Sequence, residues 1–259
     1  MNRSNIFDLT DKVVLVTGGG GLIGSNVCHA LDRYGANVIV ADYDKIQGQK
    51  VAEQLDLGDF QKLDITDPES VDTIIKYAFT EYDQLDGLVN LAYPRTDDYG
   101  QHFEFVDKNQ LIENISLHLG GYYAMTKEVA LGMIEQGCRG SIVNFSSIYG
   151  TQAPDFTIYD ETDMTSPVEY SVLKAGVLNL TRYLASYLGA DGIRINSISP
   201  GGVFDDQPDQ FIKNYEENVP LGRMANPEDL SGAVVYLLSE ASSYVTGHNL
   251  VVDGGWTIK

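Results

Sequence analysis

The chain has 259 residues, of which 43% are hydrophobic and 21% charged, with a formal net charge of −20. That length and apolar share suit one α/β domain with a full hydrophobic core, spanning residues 1–259. The charge disfavours nucleic acid and anionic membrane as partners, because both need a basic face.

Met1–Asp8 has neither a long apolar segment nor a cleavage-site pattern, so no signal peptide is expected. No later run approaches the roughly 20 apolar residues of a membrane span, and a cytoplasmic location is the expectation. Val13-Val14-Leu15-Val16 is apolar and mostly β-branched, the pattern of a parallel strand buried on both faces. Glycines follow from Gly18 to Gly21, and Ser25–Leu31 then restarts a helical rhythm with Leu22, Ile23, Val27 and Leu31 on one side. Strand, glycine turn and helix are the context of a dinucleotide-binding fingerprint, and Gly19-x-Gly21-x-x-Gly24 has its spacing. Such glycines let backbone approach a pyrophosphate, while the helix amino terminus offers unpaired N–H groups and a favourable dipole. Ala36–Asp42 reads as a second buried strand ending on a carboxylate, 18 residues after Gly24, against about 20 in the fingerprint. A carboxylate there accepts hydrogen bonds from both hydroxyls of an adenosine ribose and repels a 2′-phosphate. With no Arg or Lys in the glycine turn or directly after Asp42, NAD is expected rather than NADP.

A helix over about Lys45–Leu55 leads to a short strand at Phe60–Leu63 that ends at Asp64, which suits either an adenine contact or a helix cap. Thr66-Asp67-Pro68-Glu69 starts a helix to about Tyr82. Leu85–Ala92 is a fourth strand. Asp64 and Asn90 thus both fall at strand carboxyl ends, where open α/β sheets bind ligands. Tyr93–Val106 is loop, and Lys108–Glu135 is helical with an interruption near Gly120-Gly121. Ser141–Ser147 is a fifth strand, and a polar loop over Thr151–Ser166 precedes a helix from Pro167 to about Leu188. Ile193–Ile198 is a sixth strand, followed by Pro200-Gly201-Gly202, while Val203–Leu221 is acidic, weakly patterned and expected to be mobile. A helix from Asn226 to about Ser239 and a strand at Asn249–Val252 follow. The two cysteines, Cys28 on a helix face and Cys138 in a short loop, imply no disulfide framework, and no metal site is expected. Strands alternate with helices without repeat or linker. The expected fold is therefore a single-domain Rossmann-type α/β structure, a doubly wound parallel sheet flanked by helices.

Tyr170-x-x-x-Lys174 puts a phenol and an amine on one helix face. An ammonium there stabilises phenolate and draws the tyrosine pKa towards the working pH, making Tyr170 a candidate general acid/base for a hydroxyl or carbonyl. Ser147, at the end of the fifth strand, is placed to hold the substrate oxygen.

Taken in order, Thr17-Gly18-x-x-Gly21-x-x-Gly24, Ser147, Tyr170-x-x-x-Lys174, Arg194-x-Asn196-x-Ile198-x-Pro200-Gly201 and Val252-Asp253-Gly254-Gly255 span essentially the whole chain. Together they resemble the short-chain dehydrogenase/reductase family. The resemblance implies that Tyr170 transfers the proton, Ser147 orients the substrate oxygen, and Lys174 binds the nicotinamide ribose and tunes Tyr170. It implies a cofactor cradle with Gly18, Gly21, Leu22, Ile23 and Gly24 at the pyrophosphate and Asp42 at the adenosine ribose. Asp64 and Ile65 would lie at the adenine, Asn90 and Ala92 beside the ribose, and Pro200, Gly201 and Val203 near the nicotinamide. It also implies a small-molecule substrate and a homo-oligomer, dimer or tetramer. An apolar stripe on the Tyr170 helix (Val172, Val177, Leu180, Leu184, Leu188) and the preceding long helix suit pairing across a two-fold axis; a monomer core explains the same stripe.

Departures from the family pattern are specific. Leu22 stands where the short branch has glycine, and Asn90-Leu91-Ala92-Tyr93 replaces Asn-Asn-Ala-Gly. His118 falls at the place of an asparagine in a kinked helix, with Asn114 one turn earlier. His118 is thus a fourth candidate catalytic residue, as a proton relay, or else a packed or capping histidine. A threonine expected shortly after Pro200-Gly201 is replaced near Asp205, and Ser147 and Tyr170 lie 23 residues apart, longer than in the short branch. The extra Ala153–Thr165 lies where it would cover a substrate. Ser146–Gly150 with this insertion resembles the extended sugar-nucleotide epimerases and dehydratases, whereas Asp229 to Trp256 looks like the short branch. The combination is similar to reductases of bacterial surface-carbohydrate and flagellar-glycan pathways. The expected activity is reversible NAD(H)-dependent interconversion of a secondary alcohol and a ketone, with a sugar or surface-glycan precursor as candidate substrate. An NAD-retaining epimerase or dehydratase is one alternative, against which the lack of a second domain speaks. A non-catalytic NAD-sensing protein is the other, against which intact Ser147, Tyr170 and Lys174 speak.

Overall fold

The computed structural model describes residues 5–259, so Met1–Ser4, the first part of the leader expectation, lies outside the described residues. All five side chains of Val13–Thr17 (β1) are buried. This strand pairs in parallel with Asn37–Asp42 (β2) on one side and Gly87–Asn90 (β4) on the other. With Gly58–Lys62 (β3), Ser141–Phe145 (β5), Arg194–Pro200 (β6) and Asn249–Val252 (β7), the parallel sheet runs β3-β2-β1-β4-β5-β6-β7. The chain therefore winds outward from β1 to β3, then returns to start again at β4. Between β1 and β4 the connections leave in opposite directions, and the cleft so opened at the strand carboxyl ends is where such sheets take ligands.

Helices cover both faces: Leu22–Arg33 (α1), Lys45–Ala52 (α2), Pro68–Tyr82 (α3), Lys108–Ile115 (α4), Gly121–Glu135 (α5), Val168–Leu188 (α6), Asp209–Asn218 (α7) and Ser231–Leu238 (α8). Successive strand residues point to opposite faces. Leu15, Ile39, Leu88 and Ile142 meet Met125, Val129 and Val177 on one side, while Val14, Val16, Val38 and Val89 meet Val27, Leu31 and Val234 on the other. With neither face left for water, alternation disappears from the strands and they become the apolar runs that are visible in the sequence. The doubly wound α/β architecture follows. Among the described residues, no helix is long and apolar enough to cross a membrane.

Three expectations are corrected. The Val203–Leu221 segment contains α7, which seats Phe211 and Tyr215 against Ile148, Ile158 and Trp256. Those two buried anchors, one turn apart among acidic neighbours and helped by a partly buried Ile212, carry the helix, so its pattern is faint. Asn214 Nδ2 donates to the carbonyls of Ile158 and Asp160 at 3.2 and 3.1 Å, bracing the 151–166 insertion against α7. The stripe expected to face outward on α6 also proves largely internal: Val177, Leu184 and Leu188 are core and Leu180 packs on it. Outside are Val172 and the stacked pair Tyr183 and Tyr187. Lastly, the interruption near Gly120-Gly121 is not a break. Ser116–Gly120 forms a π-helical turn that carries the chain from α4 into α5.

Under the sheet edge, Asn90 Nδ2 donates to Asn144 Oδ1 at 2.8 Å and to Thr126 Oγ1 at 3.1 Å, and Asn144 Nδ2 donates to Thr181 Oγ1 at 3.0 Å. This fully buried ladder ties β4 and β5 to α5 and α6. Asn144→Leu removes two of its bonds and is expected to lower unfolding free energy in urea by about 1–3 kcal/mol. Asn179→Leu on the exposed side of α6 is the control, and an equal loss there would deny the ladder its part.

Candidate active site

The turn after β1 is built to exclude side chains. Gly18 has φ +68°, and a Cβ on it would lie 2.8 Å from the Ala92 nitrogen; a Cβ on Gly24 would overlap the Gly18 carbonyl. The helix that follows differs from its neighbours. Asp44, Asp67 and Asp107 cap α2, α3 and α4 through their carboxylates, but the N-cap of α1 is Gly21, which has no side chain to offer. The first-turn N–H groups of α1 thus have no intrahelical partner. Gly21, Leu22, Ile23 and Gly24 line a groove of about 690 Å³. Open donors and a cradle without Cβ atoms fit the pyrophosphate of a dinucleotide.

Asp42, Asp64 and Ile65 line the same groove with Gly18 and Ala92. The Asp42 carboxylate accepts from Gly20 N at 2.8 Å and Asp44 N at 2.9 Å, leaving lone pairs on both oxygens. Asp64 does not take the capping role read for it: its Oδ1 accepts from Thr66 N at 2.9 Å in the turn before α3, and the cap of that helix is Asp67. Thr17 Oγ1 accepts from Leu91 N at 3.1 Å and Ala92 N at 3.2 Å, which holds Ala92 in the groove wall. The Asn90 side chain belongs to the buried ladder, Gly201 lines a smaller cavity with Tyr215 and Asp253, and Pro200 and Val203 line neither space.

At the inner end of the groove stands Tyr93, and behind it the chemical groups converge. Ser147 is 4% exposed where β5 ends, its Oγ accepting from Tyr149 N at 3.2 Å. Burial raises the Tyr170 pKa, while a hydrogen bond with the Ser147 hydroxyl draws it down. One turn later, Lys174 Nζ donates to the Phe145 carbonyl at 2.9 Å and lies 3.3 Å from His118 Nε2. The rings of Tyr93, Tyr122 and Tyr170 surround it with centroids at 5.1, 5.6 and 5.8 Å. Each such ring is worth up to about 2 kcal/mol in a dry site, whereas stripping water from an ammonium costs several kcal/mol. Desolvation wins, and the amine falls from 10.5 to about 7.

His118 is fully buried, and burial together with the Lys174 charge holds its pKa well below the usual imidazole range. It stacks on Tyr122 at 4.6 Å and meets Tyr93 edge-on at 4.7 Å. Asn114 is spent elsewhere: its Nδ2 donates to Thr96 Oγ1 at 2.9 Å and its Oδ1 accepts from Thr96 N at 3.1 Å, anchoring the loop after β4. Tyr93 and Tyr149 flank the Tyr170 ring at 6.1 and 6.5 Å, and neither is identified from the sequence as a site residue. The signal for Tyr93 lay in the motif departure, since a ring in place of a glycine must fill the space in front of Lys174.

A serine, a phenol and a buried amine gathered behind a glycine-walled groove are chemically able to move a proton next to a bound dinucleotide, and comparison with known proteins identifies the class as oxidoreductase. A family model described as enoyl-(acyl carrier protein) reductase matches residues 21–257. The chain is 37% identical over 256 residues to the post-translational flagellin modification protein A of Campylobacter coli, covering 96% of this chain and 99% of that one. It is 32% identical over 259 residues to the 2,5-dichloro-2,5-cyclohexadiene-1,4-diol dehydrogenase of Sphingobium indicum, covering 96% and 98%. A solved short-chain dehydrogenase from Leptospira borgpetersenii with bound NAD+ superposes with a TM-score of 0.89 at 36% identity, over 99% of this chain and 97% of that one. The chain belongs to the short-chain dehydrogenase/reductase family of oxidoreductases.

The Lys174 geometry has a thermodynamic consequence. An amine whose folded pKa is about 7 against 10.5 when exposed binds fewer protons folded than unfolded between those values, so its burial costs stability that is recovered as pH rises. Lys174→Met is expected to shift Tm upward relative to wild type by more at about pH 7 than at about pH 10, read by thermal melts. A pH-independent difference would mean that the amine is not desolvated.

Proposed function

We propose that the protein interconverts a secondary alcohol and a ketone with NAD(H), acting on an uncharged ring such as a sugar or surface-glycan precursor. The observation that carries this reading is the gathering of Ser147, Tyr170 and Lys174 behind Tyr93, a ring that itself lines the Gly18–Gly24 groove. A bound nicotinamide supplies or takes up the hydride. Ser147 donates its hydroxyl hydrogen to the substrate oxygen and orients it. Tyr170 takes the alcohol proton in oxidation and returns it in reduction. Lys174, when charged, favours the phenolate. Asp42 supports NAD over NADP, since a 2′-phosphate beside it would meet a fixed carboxylate. The rings of Tyr93 and Tyr149 on either side of the phenol support a flat or ring-shaped substrate, and the acidic Asp155 bearing on Tyr149 speaks against an anionic one. The dehydrogenase of a cyclic diol and the flagellin-modification protein among the relatives are in keeping with this class.

The same reading extends to the whole molecule as one cofactor-binding domain, cytoplasmic and homo-oligomeric. Exposed Tyr183 and Tyr187 on α6 and Tyr123 and Leu131 on α5 support an interface between copies, as dimer or tetramer. Tyr170→Phe is expected to lower turnover by about 10²–10⁴-fold, with NADH binding by fluorescence nearly unchanged; parallel loss of both would make the tyrosine structural. The substrate class is read by NADH oxidation with cyclic keto-sugars, linear ketones and keto acids, and preference for the acids would overturn it. Asp42→Ala is expected to weaken NADH binding by about 10–100-fold, the worth of hydrogen bonds to a charged group, and to admit NADPH. An unchanged preference would remove Asp42 from the adenosine end.

A further inference from the structure

His118 is more tightly specified than a space-filling residue needs to be. An unpaired buried ring nitrogen costs about 1–3 kcal/mol, and His118 Nδ1 has no partner among the described residues. An apolar side chain of similar size would avoid that cost. The other nitrogen, Nε2, faces Lys174 Nζ at 3.3 Å. The ring is clamped between Tyr122 and Tyr93 and so cannot turn away. It is delivered there by the π-helical turn Ser116–Gly120, a rare geometry that recurs at functional sites.

An ammonium has three donors and no acceptor. One Lys174 N–H is taken by the Phe145 carbonyl. The nitrogen of His118 that faces it can therefore only present a lone pair, which puts the imidazole hydrogen on Nδ1. The groups facing His118 are Lys174 from α6, Tyr122 from α5 and Tyr93 from the loop after β4, so no carboxylate stands by to favour an imidazolium. We propose that His118 is a positioning residue. By accepting from Lys174 it fixes, together with the Phe145 carbonyl, two of the three ammonium directions, and leaves the third for the work done beside Tyr170. This rests on the oxidoreductase reading for its effect on rate, but the hydrogen bond itself does not.

Two measurements test it. In ¹⁵N spectra of the full chain at about pH 6, where Lys174 is charged, the His118 imidazole is expected neutral with hydrogen on Nδ1. Its signal is assigned by loss in His118→Leu among the four histidines, and an Nε2–H tautomer overturns the proposal. In kinetics with the preferred ketone, His118→Leu is expected to lower kcat by about tenfold or more and to displace the pH–rate profile, with the NADH dissociation constant nearly unchanged. His118→Gln, whose carbonyl reaches the place of Nε2, should recover most of kcat and the profile; His118→Asn, which reaches only the place of Nδ1, should not. Wild-type kinetics in His118→Leu, or no advantage of Gln over Asn, overturns the proposal. If the Leu variant does not fold, the Gln and Asn variants decide, with the tautomer read in wild type. A wild-type protein that turns over no alcohol or ketone defeats the oxidoreductase reading instead, and the tautomer is still measurable.

Discussion

The ammonium of Lys174 has exchanged its water for one carbonyl, one imidazole and three aromatic rings, and the chemical end of the cleft is arranged around that exchange. A buried charge tolerates few geometries. It needs the Phe145 carbonyl freed by the end of β5, a wide turn between α4 and α5 to bring His118 close, and ring faces from three separate elements. Each of those requirements fixes a neighbour of Tyr170. The phenol is held in place by the surroundings of the amine as much as by its own helix.

The opposite end of the cleft works by omission. The N–H groups of Leu22, Ile23 and Gly24 at the start of α1 are left open because the cap has no side chain, and the turn before it admits none. Tyr93 joins the two ends: it lines the groove on one side and shields Lys174 on the other, and its hydroxyl pairs with that of Tyr99. The polar ladder through Asn90, Asn144 and Thr181 holds the strand ends that carry both halves. The cleft is thus rigid where backbone must approach a ligand and aromatic where a substrate ring would lie.

Much of this was legible in the residues because strong local constraints wrote it there. A strand covered on both faces must be apolar throughout, as Val13–Thr17 is, and an i, i+4 pair on a helix must share a face, as Tyr170 and Lys174 do. What could not be read depends on packing between distant segments. α7 rests on two aromatic anchors whose partners come from the 151–166 insertion and the carboxyl terminus. The α6 stripe could be core or interface until the sheet beneath it was known. Asn90 sits at a strand end in either case, and only its neighbours Thr126 and Asn144 turn its amide inward. His118 and Asn114 are one turn apart, and which of them meets Lys174 was decided by the π-helical turn.

Asp42 illustrates how tightly recognition and architecture are coupled here. The carboxylate that faces the outer end of the groove also anchors the Gly20 amide, so it is a structural member of the glycine turn. Re-engineering the chain to hold a phosphorylated dinucleotide firmly is therefore a two-site problem. A lone swap to a small side chain removes the repelling charge and opens the pocket, but it also slackens the glycine turn, so firm holding needs a second change that rebuilds an acceptor for that amide.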